Sequence, residues 1–155
     1  MADAPSTPMV LTGGCQCGAI RYRVDAVPSG THVCHCRMCQ KASGGPFAAA
    51  VLTSSFTVTH GTMSVFKSSE IAERGFCARC GTPLTYRSLP GNFVTVTLGS
   101  LDDPDAVTPL KQYGTESRVS WLSGALAAPE VALSDWFKRK GITSVGSHQH
   151  PDRDA

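Results

Sequence analysis

Residues 34–39 read Cys34-His35-Cys36-Arg37-Met38-Cys39, and these three closely spaced thiols decide how the rest of the chain is read. In an extended segment residues i and i+2 face one side, so Cys34 and Cys36 present their sulfurs together. The i to i+3 spacing of a turn then brings Cys39 round to Cys36. Two further groups flank this one, Cys15-Gln16-Cys17 upstream and Cys77-Ala78-Arg79-Cys80 downstream, each followed by a glycine. Glycine there leaves the backbone unhindered for a tight ligand turn. All seven cysteines lie between Cys15 and Cys80. An odd, uneven set behind an N-terminus without the basic and apolar regions of a secretory signal argues against a disulfide scaffold. It points to metal or thiol chemistry in a reducing, cytoplasmic compartment.

Cys15, Cys17, Cys77 and Cys80 are two pairs from distant parts of the chain, the usual way to build a four-thiolate structural zinc site. Cys34, Cys36 and Cys39 are a three-ligand set, and an ion so held keeps a position for water or substrate, as catalytic zinc does. Two zinc ions are therefore expected, one structural and one catalytic. His32 shares strand parity with Cys34 and Cys36 and as a fourth ligand would close the second site; iron suits thiolates as zinc does. Metal-free buried thiols, or a redox sensor, are the remaining readings of the trio. His35 has the opposite parity and is expected to face solvent or the core. An open three-thiolate site is net negative, which weakens activation of water. An incoming thiol suits it better, because coordination lowers thiol pKa and the thiolate is the nucleophile towards an aldehyde.

Outside the cysteines the chain reads as one domain. It has 155 residues, 41% hydrophobic and 17% charged, so disorder is excluded as its main theme. Fourteen basic and twelve acidic side chains give a charge of +2, with no clustered basic footprint, so no nucleic-acid partner is expected. The longest apolar run, Phe47 to Leu52, is far too short for a bilayer, so no membrane span is expected. Close-spaced turn signals from Val10 to about Leu101 predict a mainly β domain. Alternation places Ile20, Tyr22 and Val24 on one strand face and Arg21 and Arg23 on the other. Phe93 to Leu98 is a strand by its β-branched content; Phe56–Thr59, Ser64–Phe66 and Leu84–Arg87 are weaker ones. Short helices are predicted near Arg37 to Ala42 and from a Ser134 or Asp135 cap to before Gly141, the latter plugging Trp136 and Phe137 into the core. Residues 1–8 read as a tail, 9–140 as the zinc-binding domain and 141–155 as a polar tail.

Three stretches in this order carry a resemblance. They are Gly13-Gly14-Cys15-Gln16-Cys17-Gly18-Ala19-Ile20-Arg21-Tyr22, then Cys34 through Cys39 with Gln40-Lys41-Ala42-Ser43-Gly44-Gly45-Pro46-Phe47, and Phe76-Cys77-Ala78-Arg79-Cys80-Gly81-Thr82-Pro83-Leu84. From about Gly13 to Trp121 the chain resembles the glutathione-dependent formaldehyde-activating enzyme family, also called the centromere protein V/GFA domain family. The resemblance implies an Mss4-like, zinc-bearing fold of short antiparallel sheets. It implies structural zinc at Cys15, Cys17, Cys77 and Cys80 and catalytic zinc at Cys34, Cys36 and Cys39. The implied activity is addition of glutathione to formaldehyde, giving S-hydroxymethylglutathione, formally a carbon-sulfur lyase reaction. The chain departs from the pattern at Gln112-Tyr113, where family members often carry a histidine ahead of the segment matching Gly114 to Arg118.

Glutathione carries two carboxylates, so its pocket needs fixed positive charge. Arg37 and Lys41 flank the trio and are the candidates, Arg37 with bidentate geometry and Lys41 equally readable as a solvated cation. Ser43 and Gly44 offer close backbone approach to a ligand, or simply a turn. Arg118 with Glu116 reads as a pocket element or a structural ion pair. The function expected is thiol addition to formaldehyde or another small aldehyde, in a monomer or an oligomer. The alternative is a non-catalytic zinc-stapled β module that binds a protein or other partner.

Overall fold

The computed structural model describes residues 7–153, so most of the expected N-terminal tail, and the last residues of the C-terminal one, lie outside the described residues. Eight strands form it: β1 (Met9–Gly14), β2 (Arg21–Cys34), β3 (Ala48–His60), β4 (Ser64–Ser69), β5 (Ala72–Phe76), β6 (Pro83–Ser88), β7 (Phe93–Thr97) and β8 (Lys111–Tyr113). Three short helices join them: α1 (Arg37–Ser43), α2 (Leu122–Leu126) and α3 (Leu133–Arg139). The fold is mainly antiparallel β. No helix among the described residues is long and apolar enough to cross a membrane.

The strands follow one path, β1-β2-β3-β7-β6-β5-β4, with β8 added in parallel beside the end of β2. One long sheet thus replaces the several short ones expected. Its central strands β2 and β3 pair on both sides of register shifts between Arg21/Tyr22, Asp25/Ala26 and Val27/His32, which bend the ladder without ending it. The alternation in β2 is realised on the core side: Ile20, Tyr22 and Val24 are buried with Val51, Leu84 and Val96 in one cluster. Arg23 faces out. Arg21 is buried, because its guanidinium makes a paired contact with the Asp102 carboxylate at 2.7 and 2.5 Å.

Strand β5 is absent from the sequence-based expectation. Its Glu73-Arg74-Gly75 centre breaks apolar alternation, and it is held as a strand by pairing with β4 and β6 on both sides. The C-terminal helix also departs from expectation. It starts at Leu133 behind Ala132, which gives no side-chain cap, and it does not plug the core. Trp136 is 41% exposed and its ring meets Phe137 edge-on at 5.6 Å. No described residue after Val107 is buried.

Candidate metal centres and active site

The four sulfurs of Cys15, Cys17, Cys77 and Cys80 lie within 4.8 Å of one another, as do the three of Cys34, Cys36 and Cys39. In the tetrad, Cys15 Sγ stands 3.6 Å from Cys17 Sγ, and Cys17 Sγ 3.9 Å from Cys77 Sγ. Zinc held tetrahedrally at about 2.3 Å separates its sulfurs by about 3.8 Å, so the donor set fits the ion. Both halves of the tetrad sit on turns. Gly18 N–H closes on Cys15 O at 2.9 Å, and Gly81 N–H on Cys77 O at 2.8 Å. The Cys15 and Cys17 sulfurs are therefore gathered by a turn and not by strand parity.

The trio is assembled differently. Cys34 ends β2, Cys36 is the N-cap of α1 in an extended conformation, and Cys39 lies buried inside the helix. No fourth His, Cys, Asp or Glu among the described residues joins them. His32 directs Nδ1 to the Gly30 carbonyl at 2.9 Å and meets the Tyr113 ring edge-on. His35 is buried, as its parity allowed.

A shell of hydrogen bonds holds the trio's backbone. His35 N–H donates to Tyr113 O at 2.8 Å, and His35 Nε2 meets Gln112 Oε1 at 3.0 Å. The same Gln112 oxygen accepts from Arg118 Nη2 at 2.9 Å, so His35 carries its proton on Nε2. Gln40 Nε2 donates to the His35 and Ser117 carbonyls. Gln112 and Tyr113 thus belong to the frame of the site.

The thiols within each cluster differ in acidity. Burial pushes Cys34 up to about 12, reinforced by the neighbouring Cys39 and Cys36 thiols against a hydrogen bond from the Cys36 backbone. Cys36 is lowered: burial opposes this, but the Cys39 and Met38 backbone and the Cys39 and Cys34 thiols outweigh it. In the tetrad, burial raises Cys15 to about 12. Burial also works against Cys80, yet the Thr82 hydroxyl and backbone, with Cys17, bring it down to about 6. Each cluster therefore contains a thiol held below its ordinary value, which favours the deprotonated form a metal ion takes.

All three trio cysteines, and none of the tetrad, line a cavity of about 980 Å³. Arg74, on the unanticipated strand β5, crosses from the cavity wall to donate Nη2 to Cys39 Sγ at 3.5 Å, with its guanidinium 5.2 Å from the centre of the Tyr86 ring. Its Nε is buried without a partner in the structure. Lys111 is a second cation of the wall, and among the described residues no Asp or Glu lines it.

A family model described as glutathione-dependent formaldehyde-activating enzyme matches residues 10–117. The chain belongs to this family. A protein of Halomonas elongata named "Putative glutathione-dependent formaldehyde-activating enzyme" is 35% identical over 154 residues, covering 86% of this chain and 98% of that one. An uncharacterized lyase of Schizosaccharomyces pombe is 33% identical over 75 residues, 48% of this chain and 55% of that protein. A crystal structure of a Rhodobacter sphaeroides protein superposes with a TM-score of 0.52 at 21% identity, over 66% of this chain and 99% of that one, a likeness of fold.

The substrate contacts expected from the sequence of this formaldehyde-activating family member are distributed unevenly. Arg37 and Lys41 are exposed on α1 and do not line the cavity; Arg37 donates to Gln40 Oε1 at 3.2 Å. Ser43 reaches the wall, but its hydroxyl stands 2.9 Å from both the Cys39 and Phe47 carbonyls. Gly44 is the left-handed C-cap of α1, so the Ser43-Gly44 stretch is a helix-ending turn. Arg118 is engaged with Gln112. Arg74, Lys111 and Tyr113 line the cavity without any local motif to announce them, since only strand pairing brings them to the trio.

Proposed function

We propose that this protein adds the thiol of glutathione, or a similar small thiol, to a small aldehyde, using Cys34, Cys36 and Cys39 as the ligands of a catalytic zinc ion and Cys15, Cys17, Cys77 and Cys80 as those of a structural one. The observation that carries the reading is that the trio, with no fourth protein donor among the described residues, opens onto the cavity, whereas the complete tetrad stands outside it. Zinc held by the trio would supply a soft Lewis-acid position that lowers the pKa of an incoming thiol. The chain's own residues orient the partners. Cys39 is fixed by Arg74, whose guanidinium brings positive charge to the cavity wall beside the trio, where a carboxylate or a developing oxyanion would be stabilised. Lys111 supplies a second positive group in a wall that no acid lines among the described residues. The new bond joins sulfur to the carbonyl carbon. The carbonyl π pair moves to oxygen, which takes up the proton the thiol has lost.

Because the addition also proceeds unaided, the test is exchange spectroscopy at equilibrium, comparing rates with and without protein. The zinc-loaded protein accelerates exchange, Cys36→Ser abolishes the acceleration while keeping the tetrad's metal, and Arg74→Ala raises KM for glutathione more than it lowers kcat. Equal rates with and without protein at saturating glutathione reject the enzyme reading in favour of the non-catalytic zinc-stapled module.

A further inference from the structure

The floor of the cavity is one cross-strand row. Phe66 on β4 pairs with Arg74 on β5, Arg74 with Tyr86 on β6, Tyr86 with Thr95 on β7, and Thr95 with Leu52 on β3. All five line the cavity, together with Phe93, whose ring centre is 6.3 Å from that of Tyr86. On the opposite face of the same strands Val51, Leu84 and Val96 are fully buried in the core. A sheet with one face on the core ordinarily shows polar side chains on the other. Here the second face presents Leu52, Phe66, Tyr86 and Phe93, with Phe66 62% and Phe93 40% exposed.

The patch is continuous with the trio. Arg74 is both a member of the row, between Phe66 and Tyr86, and the donor to Cys39, so a molecule that reaches the trio's sulfurs lies beside the aromatic floor. Formaldehyde contributes only a hydroxymethyl group to its adduct, too small to cover that floor by itself. The cavity volume is at the upper end of what small-molecule sites enclose, roughly 300–1,000 Å³, and such sites bury apolar bodies against apolar walls.

We infer that the aldehyde taken at this site carries an apolar body, a medium-length alkyl chain or an aromatic ring, seated on Leu52, Phe66, Tyr86 and Phe93. This rests on the thiol-addition reading above and narrows its substrate class. The alkyl or aryl group lies along the row away from Cys39, and the carbonyl carbon stays at the thiol end, where the carbon-sulfur bond forms.

Two stable thioethers test it on the zinc-loaded protein. S-hexylglutathione is the deoxy analogue of the hexanal adduct and S-methylglutathione that of the formaldehyde adduct. Calorimetry should give S-hexylglutathione at least about tenfold tighter binding, since each buried methylene is worth a severalfold gain. In the double variant Phe66→Ser/Phe93→Ser, both positions being exposed, the gap narrows while the circular dichroism spectrum is retained. In exchange assays hexanal shows a higher kcat/KM than formaldehyde. Equal affinity for the two thioethers, or binding of neither, overturns the inference. If formaldehyde exchange is accelerated in the same samples, thiol addition itself survives that result. A tenfold gap without accelerated exchange of either aldehyde has the opposite meaning: the apolar seat stands and thiol addition falls.

Discussion

Gly114 lies against Cys36 with no room for a side chain: a Cβ there would stand 2.7 Å from the Cys36 amide nitrogen and 3.0 Å from its Cβ. Gly114 also has φ +62°, a left-handed conformation that side chains rarely adopt. The turn after β8 is thereby pressed onto the N-cap of α1, the point from which two of the trio's three sulfurs are aimed.

Gly114→Ala is expected to displace Cys36, since the clash is with backbone that no rotamer change relieves. Metal affinity at the trio should fall about tenfold or more, in the range seen when a ligand's supporting shell is disturbed. Competitive chelation reads this directly, with the tetrad's ion retained as internal control. Unchanged affinity at both sites shows that the contact does not position Cys36.

Cys77→Ala should prevent stable folding. Structural zinc contributes about 10–16 kcal/mol in small zinc domains, as much as the whole net stability of about 5–15 kcal/mol of an ordinary domain. Cys34→Ala, by contrast, should leave a cooperative thermal transition and lower the metal content from two ions to one. A Cys77→Ala protein with the wild-type midpoint and full metal content disproves the structural assignment.

The Arg21–Asp102 pair, with side chains 8% and 13% exposed, is expected to make stability fall in acid. Burial alone raises the Asp102 carboxyl, but the hydrogen bonds from Arg21 and Thr12 hold it below its ordinary value of 3.8. A depressed folded pKa means that the stabilisation is complete above the unfolded value, near pH 4, and is lost as pH falls through the folded one. Asp102→Asn takes the paired carboxylate from the buried Arg21 guanidinium, at a cost of about 1–3 kcal/mol at neutral pH. Urea unfolding at pH 7 and at successively lower pH should show the wild-type advantage shrinking. A constant difference across that range removes the pair as its source.

Gln112→Leu should cost about 1–3 kcal/mol, because it leaves the buried His35 Nε2–H without an acceptor. Gln112→Glu keeps an acceptor for both His35 and Arg118 and should recover most of the loss. Urea midpoints for the two variants separate a hydrogen-bonding role from a merely steric one; equal losses favour the steric one.

The sequence by itself determined the convergence of Cys36 with Cys39 and the parity of β2. Both follow from local geometry: residues two apart in a strand share a face, and residues three apart in a turn converge. The buried Ile20, Tyr22 and Val24, and the gathered sulfurs of Cys36 and Cys39, are the result. The mainly β class was legible from turn spacing for the same reason. Only the tertiary structure decided what faces the trio. Arg74 lies on a strand whose own residues do not favour one, so pairing with β4 and β6 places it. Phe66, Tyr86 and Leu52 meet it by register between segments far apart in sequence, and Lys111 and Tyr113 arrive by a parallel pairing with β2. Arg37 and Lys41, adjacent to the trio in sequence, are turned to solvent by the helix that carries them. Local periodicity sets which way a side chain points relative to its chain neighbours; which distant side chains it meets depends on the hydrogen-bond ladder of the whole sheet, which no short stretch encodes.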